Sequence, residues 1–290
     1  MKVLDQTVNT DWALYHGDSM EVVKGMPDQS IDLSVFSPPF ASLYTYSASE
    51  RDLGNSRDDG EFWSHFGYII GDLLRVVKPG RLVAVHVQQI ARSVQRDGYT
   101  GMKDFRGDTV RAFEAGGFHW QGEVTIDKDP QAQAIRTKAK GLLFVQKERD
   151  RSWLRPAMAD YILVFRRPGD IAVPLRDDQI TNDEWIEWAR PIWYGIRESE
   201  TLNAAEAREE RDERHIAALQ LETIRRCIRL WSNPGDLVLS PFAGIGSEGY
   251  VAIQNGRRFL GIELKRSYWE AACRNLERAG GLLSLWEQSA

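Results

Sequence analysis

The chain has 290 residues, of which 42% are hydrophobic and 27% charged, and its net charge is −5. That length supports a full core in one large domain or in a domain with an inserted module, and the composition argues against a disordered chain. Two cysteines and five histidines without metal-ligand spacing argue against a disulfide framework or a zinc site, so no metal is expected. No run of 18 apolar residues exists and the start, MKVLDQTVNTDW, lacks an apolar signal core, which leads us to expect a soluble cytoplasmic protein.

In chain order, WALYHGD predicts a strand, residues 19–26 a short helix, and IDLSVF (31–36) a second strand. That strand ends abruptly at Ser37-Pro38-Pro39-Phe40, because consecutive prolines cannot donate to a sheet ladder and stiffen the backbone beyond the strand. A polar loop, ASLYTYSASERDLGNSRDDG, precedes helical apolar spacing over 61–77. Lys78-Pro79-Gly80 then predicts a turn into the strand RLVAVHV. A helix over about 106–116 and strands at HWQGEVTI and YILVFRR complete this half. The alternation predicts a largely parallel sheet covered by helices.

The rhythm breaks between 168 and 214, a stretch with Pro168, Pro174 and Pro191, three tryptophans (Trp185, Trp188, Trp193) and the charged run EAREERDER. We expect an inserted or peripheral module here, dividing the domain into 1–167, 168–214 and 215–290. Helix 217–231, the turn Asn233-Pro234-Gly235, strand DLVLS, helix 247–255, strand RRFLGIEL and helix 267–278 complete the chain.

Charge is uneven. Residues 136–155 carry seven basic and two acidic side chains, whereas 177–214 hold twelve Asp/Glu against five Arg. The first block is either a solvated face or a phosphate-contacting surface.

The second informative loop is DLVLSPFAGIGSEG, residues 236–249. Gly244, Gly246 and Gly249 let the backbone approach a ligand at a helix N-terminus, and Glu263 ends the next strand, where a carboxylate can bind ribose hydroxyls. The spacing also matches a dinucleotide fingerprint. Too little chain lies beyond Gly249 for a second mononucleotide half, however, so a ligand with one ribose fits better.

Ser37-Pro38-Pro39-Phe40 followed by Pro241-Phe242-Ala243-Gly244-Ile245-Gly246 resembles the amino-group DNA methyltransferases in their permuted beta order. There a (D/N/S)-P-P-(Y/F) tetrad precedes an F-x-G-x-G loop. Gly17-Asp18, VVKPG, YILVFRR and GRRFLGIELKRSYWEAACRNL extend the likeness over most of the chain outside 168–214. The resemblance implies an α/β, Rossmann-like S-adenosylmethionine methyltransferase fold: a mostly parallel sheet with helices on both faces, circularly permuted motif order and a small inserted module. It implies S-adenosylmethionine as cofactor and DNA, with a flipped base, as substrate. It places Asp18, Phe242, Ala243, Gly244, Gly246, Ser247 and Glu263 at the cofactor.

An exocyclic amine is a poor nucleophile because its lone pair is delocalised into the ring. The Ser37 hydroxyl and the Pro38 carbonyl can accept its hydrogens and aim the lone pair, Pro39 holds the turn rigid, and Phe40 would stack on the flipped base. Serine at the first position favours cytosine N4 over adenine N6. RNA or protein-amide methylation and a non-catalytic DNA-binding regulator are the alternatives. Tyr44, Tyr46, Arg136, Lys138, Lys140 and Arg190 are the DNA-contact candidates, and 168–214 occupies the family's target-recognition position. His215 to Glu222 aligns with the family's H-P-x-x-x-P-L-E segment, with Ile216 and Gln220 where the prolines would be; His215 is a cap or a ligand. A second copy of the chain and a separate restriction enzyme are further possible partners, since no endonuclease domain is expected within this length.

Overall fold

Residues 31–36 are buried at every position, which a strand tolerates only when both faces of its sheet are covered. The computed structural model shows how. It describes residues 3–39, 59–92, 94–137, 140–153, 155–176, 180–203 and 218–287.

The strands are β1 (Asp5–Val8), β2 (Trp12–His16), β3 (Ile31–Phe36), β4 (Val77–Gln88), β5 (Ile90–Arg92), β6 (Gly101–Lys103), β7 (His119–Ile126), β8 (Asp160–Arg166), β9 (Ile192–Trp193), β10 (Leu237–Ser240) and β11 (Arg258–Glu263). The helices are α1 (Ser19–Lys24), α2 (Asp59–Val76), α3 (Val94–Asp97), α4 (Phe105–Ala115), α5 (Pro130–Thr137), α6 (Phe144–Arg149), α7 (Asn182–Trp188), α8 (Leu221–Trp231), α9 (Ser247–Gln254) and α10 (Arg266–Glu287).

Nine strands form one sheet in the order β1-β2-β11-β10-β3-β4-β8-β7-β9, and β5 and β6 form a separate ribbon. Strands β2, β11, β10, β3 and β4 are parallel, β8 runs antiparallel to both β4 and β7, and β1 is antiparallel to β2. The alternating side chains of β4 face two cores. Leu82 and Ala84 meet the layer holding Ile224, Val251 and Ala272 of α8, α9 and α10. Val83, Val85 and Val87 meet the layer holding Val22, Phe66 and Phe113 of α1, α2 and α4. This three-layer arrangement matches the expected fold, with the antiparallel β1 and β8 added. Among the described residues no helix is long and apolar enough to cross a membrane.

Two expectations change. Lys78-Pro79-Gly80 does not precede β4 but bulges within it, since Ile31 pairs with Val77 and Leu33 with Leu82; Gly80 takes the positive φ of 72° that this detour needs. The 168–203 stretch is likewise not peripheral throughout. β9 joins the sheet through Thr125↔Ile192 and Ile126↔Trp193, and Trp188 and Trp193 are buried. Its acidity has a partner in α8: Glu184 pairs with Arg229 at 3.0 Å and Glu187 with Arg226 at 2.9 Å. Trp188 lies under the guanidinium groups of Arg225 and Arg229, and Trp193 under that of Arg226.

Candidate active site

The chain leaves β10 through α9 toward β11 and leaves β3 through α2 toward β4, so connections run in opposite directions from the β10–β3 pair. Ligands of open α/β sheets bind at such a switch point, beyond the carboxyl ends of the strands. Both loops singled out in the sequence start there. Val238 pairs with Leu33 and Leu239 with Ser34, so Ser37-Pro38-Pro39 and Pro241 to Gly246 leave the sheet side by side.

The glycine loop is held by its own backbone. Ala243 N–H donates to Ile262 O at 2.8 Å, Gly246 N–H to Ala243 O at 2.7 Å, and Asn275 Nδ2 to Ile245 O at 2.9 Å. Gly244 and Gly246 have φ of 51° and 84°, values that disfavour any side chain. A Cβ on Gly244 would meet nothing within 4 Å, so this stretch of backbone borders open space. Gly249, by contrast, is required by packing: a Cβ there would lie 2.4 Å from the Phe259 ring.

Glu263 closes the loop. Its Oε2 accepts from Gly244 N at 2.9 Å and its Oε1 from Lys265 N at 2.8 Å, which orients the carboxylate beside the glycine turn. Helix α9 takes Gly246 as its N-cap, without a side-chain cap, and the buried Ser247 Oγ has no hydrogen-bond partner among the described residues. Gly17 N–H donates to Glu263 O at 3.0 Å, bringing Asp18 to the same edge; its carboxylate caps α1 by accepting from Met20 N at 2.9 Å. Open space over Gly244, an oriented carboxylate acceptor and a hydroxyl at a helix N-terminus are groups that could receive a nucleoside with a free ribose. Phe242 is half-buried, its ring 5.7 Å from Phe36 and 6.4 Å from Phe66, so it also ties the loop to the α2 side of the sheet.

The proline loop is held by side chains from distant strands. Ser37 Oγ lies 2.8 Å from His86 Nδ1 and 3.2 Å from His86 O. His86 Nε2 is 3.2 Å from Asp160 Oδ2, and Lys128 Nζ is 2.7 Å from the same oxygen. Gln88 Nε2 donates to Asp160 Oδ1 at 2.7 Å. Burial pushes the Asp160 carboxyl up, but His86 and Lys128 outweigh it and hold the group down at about 2. It is therefore an anion throughout the physiological range. Among the charged groups, Lys128 and Asp160 are a buried pair, and Pro38 is buried beneath the Ser37 turn.

His86, Gln88, Lys128 and Asp160 escape sequence reasoning. His86 and Gln88 share β4, Lys128 and Asp160 lie in separate stretches, and only the β3-β4-β8-β7 order brings them together. A histidine in the apolar run RLVAVHV was the one visible signal.

Of the other expected residues, Phe40, Tyr44, Tyr46, Lys138 and His215 lie outside the described residues. Arg136 and Lys140 belong to the β7–β8 connection, which also carries exposed Phe144, Lys147, Arg149 and Arg151 at the Ser37 edge of the sheet. Arg190 is exposed beside β9. In the His215–Glu222 segment, Gln220 forms the N-cap position of α8, and Glu222 is engaged by Arg225 and Arg226. Leu202, after β9, packs on the cluster of Ile245, Tyr268 and Ala271.

Comparison with known proteins places the chain among methyltransferases. The chain is 22% identical to the Type II methyltransferase M.BglI of Bacillus subtilis over 324 aligned residues, covering 91% of this chain and 85% of that one. A shorter stretch of 56 residues is 48% identical to the DNA adenine methyltransferase YhdJ of Escherichia coli, covering 19% of each chain. A proposed DNA modification methylase of Thermus thermophilus, complexed with S-adenosyl-L-methionine, superposes with a TM-score of 0.70 at 24% identity, over 92% of this chain and 93% of that one. The cytosine-N4-specific PvuII DNA methyltransferase gives 0.68 at 20% identity, over 94% and 90%. A family model described as DNA methylase, of the N6/N4 methyltransferases, matches residues 31–274. With that match spanning both strand-end loops, the chain belongs to the N6/N4 DNA methylase family.

Proposed function

We propose that this enzyme transfers a methyl group from S-adenosylmethionine to the exocyclic amine of a base in duplex DNA, with cytosine N4 as the favoured target and adenine N6 as the alternative. The observation that carries this reading is the adjacency of the Ser37-Pro38-Pro39 turn and the Gly244–Gly246 turn at the switch point, one built to accept hydrogens and the other to hold a nucleoside. The cofactor, when bound, supplies an electrophilic methyl on a sulfonium.

The protein's own residues do the rest. Glu263 receives the ribose hydroxyls, Ser247 and the α9 N-terminus offer donors, and Ala243, Gly244 and Gly246 supply close-approaching backbone. Asp18 stands at the adenine end and Phe242 forms a wall. The Ser37 hydroxyl and Pro38 carbonyl accept the amine hydrogens, so the lone pair turns toward the methyl. A base in a duplex does not reach this recessed edge, so the target nucleotide flips out and Phe40 stacks on it. Arg136, Lys138, Lys140, Tyr44 and Tyr46 contact the flanking DNA. Arg190 and the exposed Trp185 contribute from 168–214, while Trp188 and Trp193 act only as its internal support. The enzyme acts in a bacterial or phage-derived cytoplasm, alone or beside a separate restriction enzyme, as a monomer or with a second copy.

Labelled-methyl transfer to duplex DNA, compared with RNA and protein, tests the substrate class. Nucleoside mass spectrometry of the product then separates the two bases: N4-methylcytosine is expected, and a methyladenine-only product sinks the cytosine assignment.

A further inference from the structure

The acceptor Ser37 ends a chain of polar groups that nothing in the tetrad itself requires. Methyl transfer leaves an amine nitrogen cationic, with one proton to lose. Ser37 alone cannot keep that proton, because a protonated hydroxyl is far too acidic. Behind it stand an imidazole at 2.8 Å, a carboxylate 3.2 Å beyond that, and a buried ammonium 2.7 Å from the carboxylate.

The arrangement favours one tautomer. Asp160 can only accept at its ionised oxygens, and His86 Nε2 is the ring nitrogen that faces it at ion-pair distance, 3.2 Å, so the relay assigns the proton of the neutral ring to Nε2. Nδ1 is then bare and accepts from the Ser37 hydroxyl. The groups facing the imidazole are Ser37 from the end of β3 and Asp160 from β8, with Lys128 after β7 and Gln88 of β4 gripping the carboxylate from behind. Lys128 and Gln88 keep Asp160 from turning away, and the antiparallel β4–β8 register fixes it, since Gln88 pairs directly with Asp160 and His86 with Ile162.

We infer that Ser37, His86 and Asp160 form a proton-holding relay for the methylated amine, with His86 and Asp160 as positioning residues acting through Ser37. In the step itself the amine N–H bond breaks and its electron pair stays on nitrogen. The proton passes to Ser37 Oγ as the Oγ–H proton passes to His86 Nδ1. The serine ends neutral, the imidazole becomes an imidazolium opposite Asp160, and the proton later leaves to water. No further reactant is needed. This inference rests on the methyltransferase reading above, and it adds where the reaction's proton goes.

Two measurements test it. Nitrogen-15 NMR of histidine-labelled native protein, without cofactor, is expected to show the neutral His86 ring carrying its proton on Nε2. The signal is assigned by its loss in His86→Asn, among only five histidines in the chain. A neutral ring protonated on Nδ1 overturns the relay because no vacant site would exist for the serine proton. Single-turnover methyl transfer across pH 6–9 is the second. The native rate is expected to rise with pH through one inflection and level off. His86→Asn, whose amide can still hydrogen-bond Ser37 but cannot take a proton, should lose that inflection and fall about 100-fold, with cofactor affinity by calorimetry unchanged. A variant that keeps both rate and inflection, or one that falls while keeping the inflection, overturns the relay. Native protein that methylates no DNA, RNA or protein would instead defeat the functional reading, and the NMR result on free protein stands apart from that outcome.

Discussion

The two loops at the switch point do neighbouring jobs by opposite means. The glycine loop is positioned mainly by backbone hydrogen bonds, with Glu263, nineteen residues after Gly244, and Asn275 of α10 bracing it by side chain. The proline loop is positioned by a side-chain network whose members lie far apart in sequence: Ser37 reaches His86 forty-nine residues on, and the carboxylate behind His86 arrives on β8. A binding loop needs room and donors, which glycine and a helix N-terminus provide locally. On the proposed reading, a loop that aims an amine and handles its proton needs fixed acceptors and a charge reservoir, which only the assembled sheet provides.

The strongest way to break the proline side is to remove the charge reservoir. Asp160→Ala strands the Lys128 ammonium, whose side chain is only 1% exposed, and should cost about 3–5 kcal/mol in urea unfolding; a loss below about 1 kcal/mol would show the pair to be dispensable. Next is the acceptor itself. Ser37→Ala should lower turnover by about 10²–10³-fold while calorimetry finds cofactor affinity within about twofold of native, and equal turnover would refute its role.

The glycine side should respond the other way. Glu263→Gln removes the charge that organises the turn, and we expect cofactor affinity to fall about 10–100-fold with a smaller change in turnover at saturating cofactor. A purely catalytic defect there would erase the contrast between the loops.

The smallest expected effect sharpens it. Glu248 is buried in the first turn of α9, and burial, reinforced by Glu263, pushes its carboxyl up to about 8 from an ordinary 4.5. The folded chain therefore keeps a proton that the unfolded chain releases. Stability from this group is complete below about pH 4.5 and declines as pH rises through 8. Glu248→Gln should flatten that decline, so that melting at pH 9 rises above native by a few degrees, on the order of 1–2 kcal/mol. Parallel melting curves for the two proteins from pH 6 to 9 would contradict it.

Much of the fold was legible because its signals are local. The largely apolar IDLSVF reads as a strand, the Pro38-Pro39 pair as its stop, and the alternation of strands and helices as a covered sheet. What escaped was pairwise. Lys78-Pro79-Gly80 reads as a turn in any chain, and only the pairing of Ile31 with Val77 and of Leu33 with Leu82 makes it a bulge inside β4. The acidic stretch around Glu184 and Glu187 reads as a solvated face until α8 presents Arg226 and Arg229 to it.

The same division holds at the active site. The amino-acid sequence by itself determined the two loops and their order, because proline and glycine constrain the backbone within a few residues of themselves, and it placed Glu263 at the end of its strand. The tertiary structure alone decided that Ser37 is backed by His86, Asp160 and Lys128, because a hydrogen bond between side chains dozens of residues apart exists only once strand order and register bring their strands together.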